Sequence, residues 1–198
     1  MPTLIVPFAG AAGKTRLDAP GPVRREISLA MLGDVLEAAL AAGETIVVTS
    51  DPDGAALART LGASVADDPG GGQGAAVAAA LAGVDGRVLV VNADLPCATA
   101  TDISRLAAVD GFGLVEARDG TTNALALPAA DAFAPLYGAG SAARFRAHAA
   151  KRRLDVVTVP LENLVDDVDT LDDLRRLAAR LGRRTRACLE RQLQDVPA

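Results

Sequence analysis

A chain of 198 residues that is half apolar can bury one sizeable core, and its 3% aromatic content means that Ala, Val and Leu must fill it. The net charge of −5 and a pI near 4.9 argue against a nucleic-acid or anionic-membrane partner. Cys97 and Cys188 are the only cysteines and His148 the only histidine, which disfavours a disulfide framework, a zinc site and Ser–His or Cys–His nucleophilic chemistry.

Residues 3–8 read as a first strand, and the run LIVPFAGAAGKTRL over 4–17 breaks from it into a loop of small residues that delivers Lys14, Thr15 and Arg16. Small residues let backbone N–H groups approach an anion, and two cations supply counter-charge. A Walker A loop would need glycine where Phe8 stands, which disfavours a P-loop NTPase. Residues 23–41 are helical by the spacing of Ile27, Met31, Val35 and Ala39, with Leu32, Leu36 and Leu40 beside them. A second strand follows at 44–49. Ser50 or Asp51 caps the next helix, with Pro52 in its first turn and Leu57 and Leu61 on its buried face. Residues 63–66 form a short third strand. A loop with Gly70, Gly71, Gly72 and Gly74 then leads into an alanine-rich helix over about 75–82. The run VLVV within 87–91 suits a parallel strand covered on both faces. This alternation predicts a doubly wound sheet with ligands outside the carboxyl ends of its strands.

The second half is less regular. Residues 112–117 and 123–127 read as strands around an Asp119-Gly120 turn, either a hairpin or an antiparallel addition. Helices are expected over 141–151, over 170–181 with Thr170 as N-cap and Asp173 three residues on, and over 184–194, with a strand at 155–159 between the first two. Arg183, Arg184, Arg186 and Arg191 read as a solvated face of the last helix. His148 belongs at a helix surface or end. No repeat or linker divides the chain, so one domain over 1–198 is expected. A charged leader and an apolar run long enough for a bilayer are both lacking, and the expected location is cytoplasmic.

Four loops at strand ends carry the candidate chemistry. The first is GAAGKTRL at 10–17. The second is DDPGGGQG at 67–74, whose glycines can present N–H groups to a base or a phosphate. The third is NADLP at 92–96. It places Asp94 in the ligand crevice, where a carboxylate calls for counter-charge, and a divalent cation such as Mg²⁺ supplies it together with phosphate oxygens. The fourth is DDVDT at 166–170, where Asp167 and Asp169 alternate onto one face of an extended segment and can join Asp94 at the metal. Asp166 and Asp172 read instead as capping or solvated acids.

The ordered set KTRL (14–17), LAMLGDVL (29–36), TSDPD (49–53), DPGGG (68–72), ADLP (93–96), TNAL (122–125), GAGS (138–141) and DVDT (167–170) resembles the nucleotide-diphospho-sugar transferase fold. More closely, it resembles the family of 2-phospho-L-lactate and phosphoenolpyruvate guanylyltransferases of coenzyme F-420 biosynthesis, over residues 1 to about 176. Three departures stand out. Gly72-Gln73-Gly74 replaces Gly-Leu-Asn, Asn92 replaces an apolar residue or proline, and Leu171 replaces a proline.

The resemblance implies an α/β fold, a single-domain three-layer α/β/α Rossmann-like nucleotidyltransferase with a mostly parallel central sheet and an antiparallel addition in the second half. It implies attack by the acid's phosphate on the α-phosphorus of GTP with loss of pyrophosphate, a reaction that needs no protein base. In that scheme Lys14, Arg16 and Asp94 are the catalytic set, and Asp94, Asp169 and Asp167 hold Mg²⁺. Ala9, Gly10, Lys14, Gly71, Gly72 and Gln73 bind the nucleotide. Thr122, Gly138 and Ser141 contact phosphoenolpyruvate or 2-phospho-L-lactate, with hydroxyl and N–H donors suited to an anion. The Arg/Ala-rich, lysine-poor composition looks bacterial and leans towards phosphoenolpyruvate. Other readings are a molybdopterin-type cytidylyltransferase and a non-catalytic nucleotide-binding module. The sequence gives no oligomeric state, and a homodimer stays among the options.

Overall fold

The apolar runs read from the sequence pair into one seven-stranded sheet of order β3-β2-β1-β4-β6-β5-β7. The computed structural model describes residues 1–10 and 17–194, so Lys14 and Arg16 lie outside the described residues. β1 (Thr3–Pro7), β2 (Glu44–Val48), β3 (Ser64–Ala66) and β4 (Val88–Val91) run parallel. β6 (Thr122–Leu127) is antiparallel both to β4 and to its hairpin partner β5 (Phe112–Glu116), and β7 (Val156–Thr158) closes the edge parallel to β5. The expected antiparallel addition is therefore present, and its turn is the predicted one: Gly120 N donates to the Ala117 carbonyl, with Gly120 at φ +81°.

Alternation along the central strands builds the three layers. Leu4, Val6, Leu89 and Val91 face one apolar layer, packing on α1 (Gly21–Leu40), α2 (Pro52–Leu61) and α4 (Ala100–Ala107) through Leu32, Leu36, Ala58 and Ile103. Ile5, Val88 and Val90 face the other layer, against α3 (Gln73–Ala80) and α5 (Ser141–Lys151) through Val77, Ala80, Phe145 and Ala149. All four residues of β4 are buried, as a strand covered on both faces requires. Asp51, rather than Ser50, caps α2 by accepting from the Asp53 and Gly54 N–H groups. α4 is unanticipated. It starts on a Thr99–Asp102 capping box and spans only eight residues, too few for a periodicity to stand out. The expected helix over 170–181 is shorter, α7 (Leu171–Leu177), with the Thr170–Asp173 capping box in place. A short α6 (Glu162–Val165) precedes it. His148 lies in the last turn of α5 with Nε2 at 3.1 Å from the Ala132 carbonyl. No described helix is long and apolar enough to cross a membrane.

The last helix, α8 (Arg183–Gln194), corrects one expectation. Its arginines are not simply a solvated face. Arg183 and Arg184 bond Glu37, Arg191 bonds Glu26, and Arg186 donates to the Ala179 and Leu181 carbonyls. Such exposed pairs add little each. The anchor is the buried Asp34 of α1, whose carboxylate accepts the Arg184 and Thr185 N–H groups at 2.9 and 2.8 Å and so caps α8 from another helix. A Cβ at Gly182 would collide with the Asp34 side chain, so glycine there lets the chain approach the cap closely, and the Arg184 side chain lies over Gly33 of LAMLGDVL. Leu174, Leu177, Leu181 and Cys188 then seal against Ile27 and Met31.

Two outcomes follow from this docking. Asp34→Ala leaves two helix-start donors without their acceptor and lowers unfolding stability by about 2 kcal/mol, measured by urea denaturation. Burial pushes the Cys97 and Cys188 thiols up to about 11 from an ordinary 9.0. Native pKa values above the unfolded ones stabilise the fold fully below pH 9 and lose that contribution as pH climbs towards 11. Native protein therefore resists iodoacetamide at pH 8, while urea-unfolded protein is alkylated at both cysteines.

Candidate active site

A cavity of about 260 Å³ opens at the carboxyl ends of β1 and β4, where a doubly wound sheet binds ligands. Of the expected nucleotide contacts, Ala9, Gly10, Gly72 and Gln73 line it, together with Asp94 and Asp169; Gly71 lies beside it in the loop. Gly10 holds φ +67° against the Asp51 carboxylate, so no larger residue fits there. Gly70, Gly71 and Gly72 hold φ between +80° and +89°, a succession open in practice only to glycine. They deliver the chain to α3, which starts on Gly72 without a side-chain cap, so the positive end of the helix borders the cavity.

The three candidate carboxylates come together. Asp94, Asp167 and Asp169 each offer an oxygen within 4.8 Å of the others. Three distant segments meet here: the Val168 N–H donates to the Asp94 carbonyl at 3.0 Å, and Asn123 Nδ2 donates to the Leu164 and Val165 carbonyls at 3.0 and 3.1 Å. Three converging carboxylates beside an anion-binding loop form an all-oxygen donor set. That suits a hard divalent cation such as Mg²⁺ and does not suit zinc.

Thr122, Gly138 and Ser141 also converge, outside the residues that line the cavity. Ser141 Oγ donates to Thr122 Oγ1 at 3.1 Å, and Ser141 N donates to the Gly138 carbonyl at 3.0 Å. Both hydroxyl residues are buried. Asn92 joins this group to the cavity. Gln73 Nε2 donates to Asn92 Oδ1 at 2.6 Å, and Asn92 Nδ2 donates to the Thr122 carbonyl at 3.2 Å. Two of the three departures from the family pattern, Gln73 and Asn92, are thus one contact. The third, Leu171, simply opens α7 behind its Thr170 cap.

Asp166 is the residue that sequence reasoning missed. It is neither a cap nor solvated: its side chain is fully buried and accepts from Arg118 Nε at 2.6 Å, Arg180 Nη2 at 2.7 Å and Arg176 Nη1 at 2.9 Å. The Arg118 guanidinium first, with Arg180 and Arg176 outweighing burial, holds its carboxyl well below the usual carboxylate range. Arg118 stands 48 positions away on the β5–β6 turn, and no local pattern could pair the two. Asp172 is exposed and bonded to Arg175, as a solvated acid should be.

A mixed sheet with a glycine-lined cleft and a carboxylate trio at its strand ends defines an α/β protein of the nucleotidyltransferase type. Solved structures agree on the fold. One described as a nucleotide-diphospho-sugar transferase, from Desulfovibrio desulfuricans G20, superposes with a TM-score of 0.73 at 21% identity, covering 98% of this chain and 96% of that one. CMP:2-keto-3-deoxy-manno-octonic acid synthetase, solved with CTP, superposes with a TM-score of 0.55 at 12% identity, covering 97% and 100%. The family model described as "Guanylyl transferase CofC like" matches residues 2–190, and the chain belongs to that family. Among its relatives are the phosphoenolpyruvate guanylyltransferases of Streptomyces coelicolor, 39% identical over 96% of this chain and 97% of the relative, and of Thermomonospora curvata, 38% identical over 96% and 89%.

Because the amides of Gln73 and Asn92 serve each other, Gln73→Leu and Asn92→Leu are not additive. Each alone destabilises by about 1 kcal/mol, and a double-mutant cycle in urea gives a coupling of about 1 kcal/mol.

Proposed function

We propose that the protein transfers GMP from GTP to phosphoenolpyruvate with release of pyrophosphate, as a step of coenzyme F-420 biosynthesis. Membership of the guanylyl transferase family and relatives bearing that name over nearly the whole chain support the reading. The observation within this chain that carries it is the convergence of Asp94, Asp167 and Asp169 beside the glycine-lined cavity.

The chemistry asks little of acids and bases. An oxygen of the acceptor's phosphate attacks the α-phosphorus of GTP, a new P–O–P bond forms, and the bond to the β-phosphate breaks with its electrons leaving on pyrophosphate. The nucleophile is already an anion, so no side chain must take a proton, and His148, bonded to the Ala132 carbonyl, has no part. The protein's task is positioning and charge neutralisation. Gly10, Gly72 and the start of α3 cradle the nucleotide with backbone N–H groups. Lys14 and Arg16, which fall outside the described residues, offset the triphosphate charge in this reading. Thr122, Gly138 and Ser141 hold the acceptor, and Asn92 bonds both to their group and to Gln73 on the nucleotide side. Asp94, Asp167 and Asp169 would hold Mg²⁺, which supplies counter-charge to the phosphates. The whole chain acts as one domain, and the cytoplasm, where GTP is made, is the compartment the reading takes.

Incubation with GTP, Mg²⁺ and phosphoenolpyruvate should release pyrophosphate and give a product of the mass of guanylylated phosphoenolpyruvate. 2-Phospho-L-lactate and CTP, offered in competition, should react more slowly. Asp94→Asn should lower turnover at least about 100-fold without altering the circular dichroism spectrum, in keeping with the several kcal/mol a cation contributes to phosphate chemistry. Absence of pyrophosphate with either acid would overturn the reading.

A further inference from the structure

We propose that Asp166 is a positioning residue for the carboxylate trio, gathering Arg118, Arg176 and Arg180 onto one buried carboxylate so that Asp167 and Asp169 stay presented to a divalent cation. The inference rests on the guanylyltransferase reading of the site.

Residues 166–169 alternate in burial. Asp166 and Val168 are buried, while Asp167 and Asp169 are half-buried and reach the trio. The backbone around them is fixed at both ends. Asn123 holds the Leu164 and Val165 carbonyls, Val168 N reaches the Asp94 carbonyl, and Asp173 Oδ2 accepts from Asp169 N and Thr170 N. Between these ties, Asp166 is the anchor of the segment, its buried carboxylate next to Asp167 and at the wall of a second cavity. Its three guanidiniums arrive from two directions, Arg118 from the β5–β6 turn and Arg176 and Arg180 from the α7 region, so one carboxylate clamps the segment between hairpin and helix.

The clamp also directs charge. Three carboxylates within 4.8 Å repel one another, and a cation relieves that repulsion. Arg118 and Arg176 border that same second cavity, of about 280 Å³, together with Asp167 and Asp169. Held on Asp166, they lend positive potential to the neighbouring trio. Without the Asp166 charge, the same arginines are released next to Asp167 and Asp169 and compete with the cation for them. A residue that orients metal ligands typically changes metal affinity about 10- to 100-fold when it is altered.

The test measures binding of Mn²⁺ alone, by the electron paramagnetic resonance signal of the free ion, so that it does not depend on turnover. Asp166→Asn, nearly isosteric, should raise the Mn²⁺ dissociation constant at least about 10-fold. In the assay, its lost turnover should return at high Mg²⁺ with the KM for GTP unchanged, a split that general loosening of the fold would not give. Asp172→Asn, at an exposed carboxylate of the same acidic run, should bind Mn²⁺ like the unaltered protein. If Asp166→Asn does not fold, Arg118→Gln replaces it. That side chain is 65% exposed, and its loss removes one arm of the clamp, with a several-fold weakening expected. Unaltered protein that binds Mn²⁺ while a folded Asp166→Asn or Arg118→Gln binds it equally well overturns the positioning role alone. Unaltered protein that binds no Mn²⁺ removes the trio as a cation site and overturns the reading beneath it.

Discussion

Everything at the site depends on β4 being paired in two senses. On one side it runs parallel to β1, which brings the Ala9–Gly10 turn to its carboxyl end; on the other it runs antiparallel to β6, whose beginning therefore lies at that same end. The register Val91↔Ala124 sets Asn92 beside Asn123, and Asn92 N donates to the Asn123 carbonyl. An all-parallel arrangement would have put the start of β6 at the far edge. Reversing one strand brings TNAL to the same end of the sheet as the cavity loops. Asn123 then binds the 164–165 carbonyls and so draws in the segment that carries Asp167 and Asp169.

The site concentrates negative charge, and the chain answers with arginine beside it. Asp94, Asp167 and Asp169 face the cavity and its neighbour, while the guanidiniums of Arg118, Arg176 and Arg180 converge on the buried Asp166. A buried carboxylate is tolerable only when paired, and three partners more than meet that need. The same economy appears at α8, where Asp34 serves as a helix cap without a charged side-chain partner at its oxygens among the bonds seen. In both places an acid is held by donors far away in sequence, and in both it fixes an element that local propensity leaves loose.

That distance is what limits reading the chain by eye. The strands, the order of the helices, the Asp51 and Thr170 caps and the meeting of Asp94 with DVDT were legible, because each is a matter of period, of capping chemistry within four residues, or of which strand ends face the crevice. The antiparallel pairing of β6 was legible only as far as the Asp119-Gly120 turn. Asp166 was misread because an acidic run looks solvated unless its partners are known, and Arg118 is 48 residues away. The docking of α8 joins residues 150 apart, Asp34 and Arg184, so its arginines looked idle although Glu37, Glu26 and the Ala179 and Leu181 carbonyls engage their side chains. α4 was missed for the opposite reason: at eight residues it is shorter than the window in which a helical period can be told from chance.

The Gln73–Asn92 pair shows how local departures from a family pattern gain meaning only in three dimensions. Taken singly, a glutamine in the glycine loop and an asparagine after the central strand look like unrelated drift. Their amides meet at 2.6 Å, and Asn92 passes a second bond on to the Thr122 carbonyl, while the Thr122 hydroxyl bonds Ser141. An amide at only one of the two positions would leave polar atoms poorly satisfied at a half-buried place, which is costlier than having an amide at both or at neither. The two residues are therefore expected to change together, and the pair ties the loop that opens α3 to the start of β6. In the proposed reaction, which holds two anionic substrates in line rather than moving protons, such a tie would contribute directly to positioning.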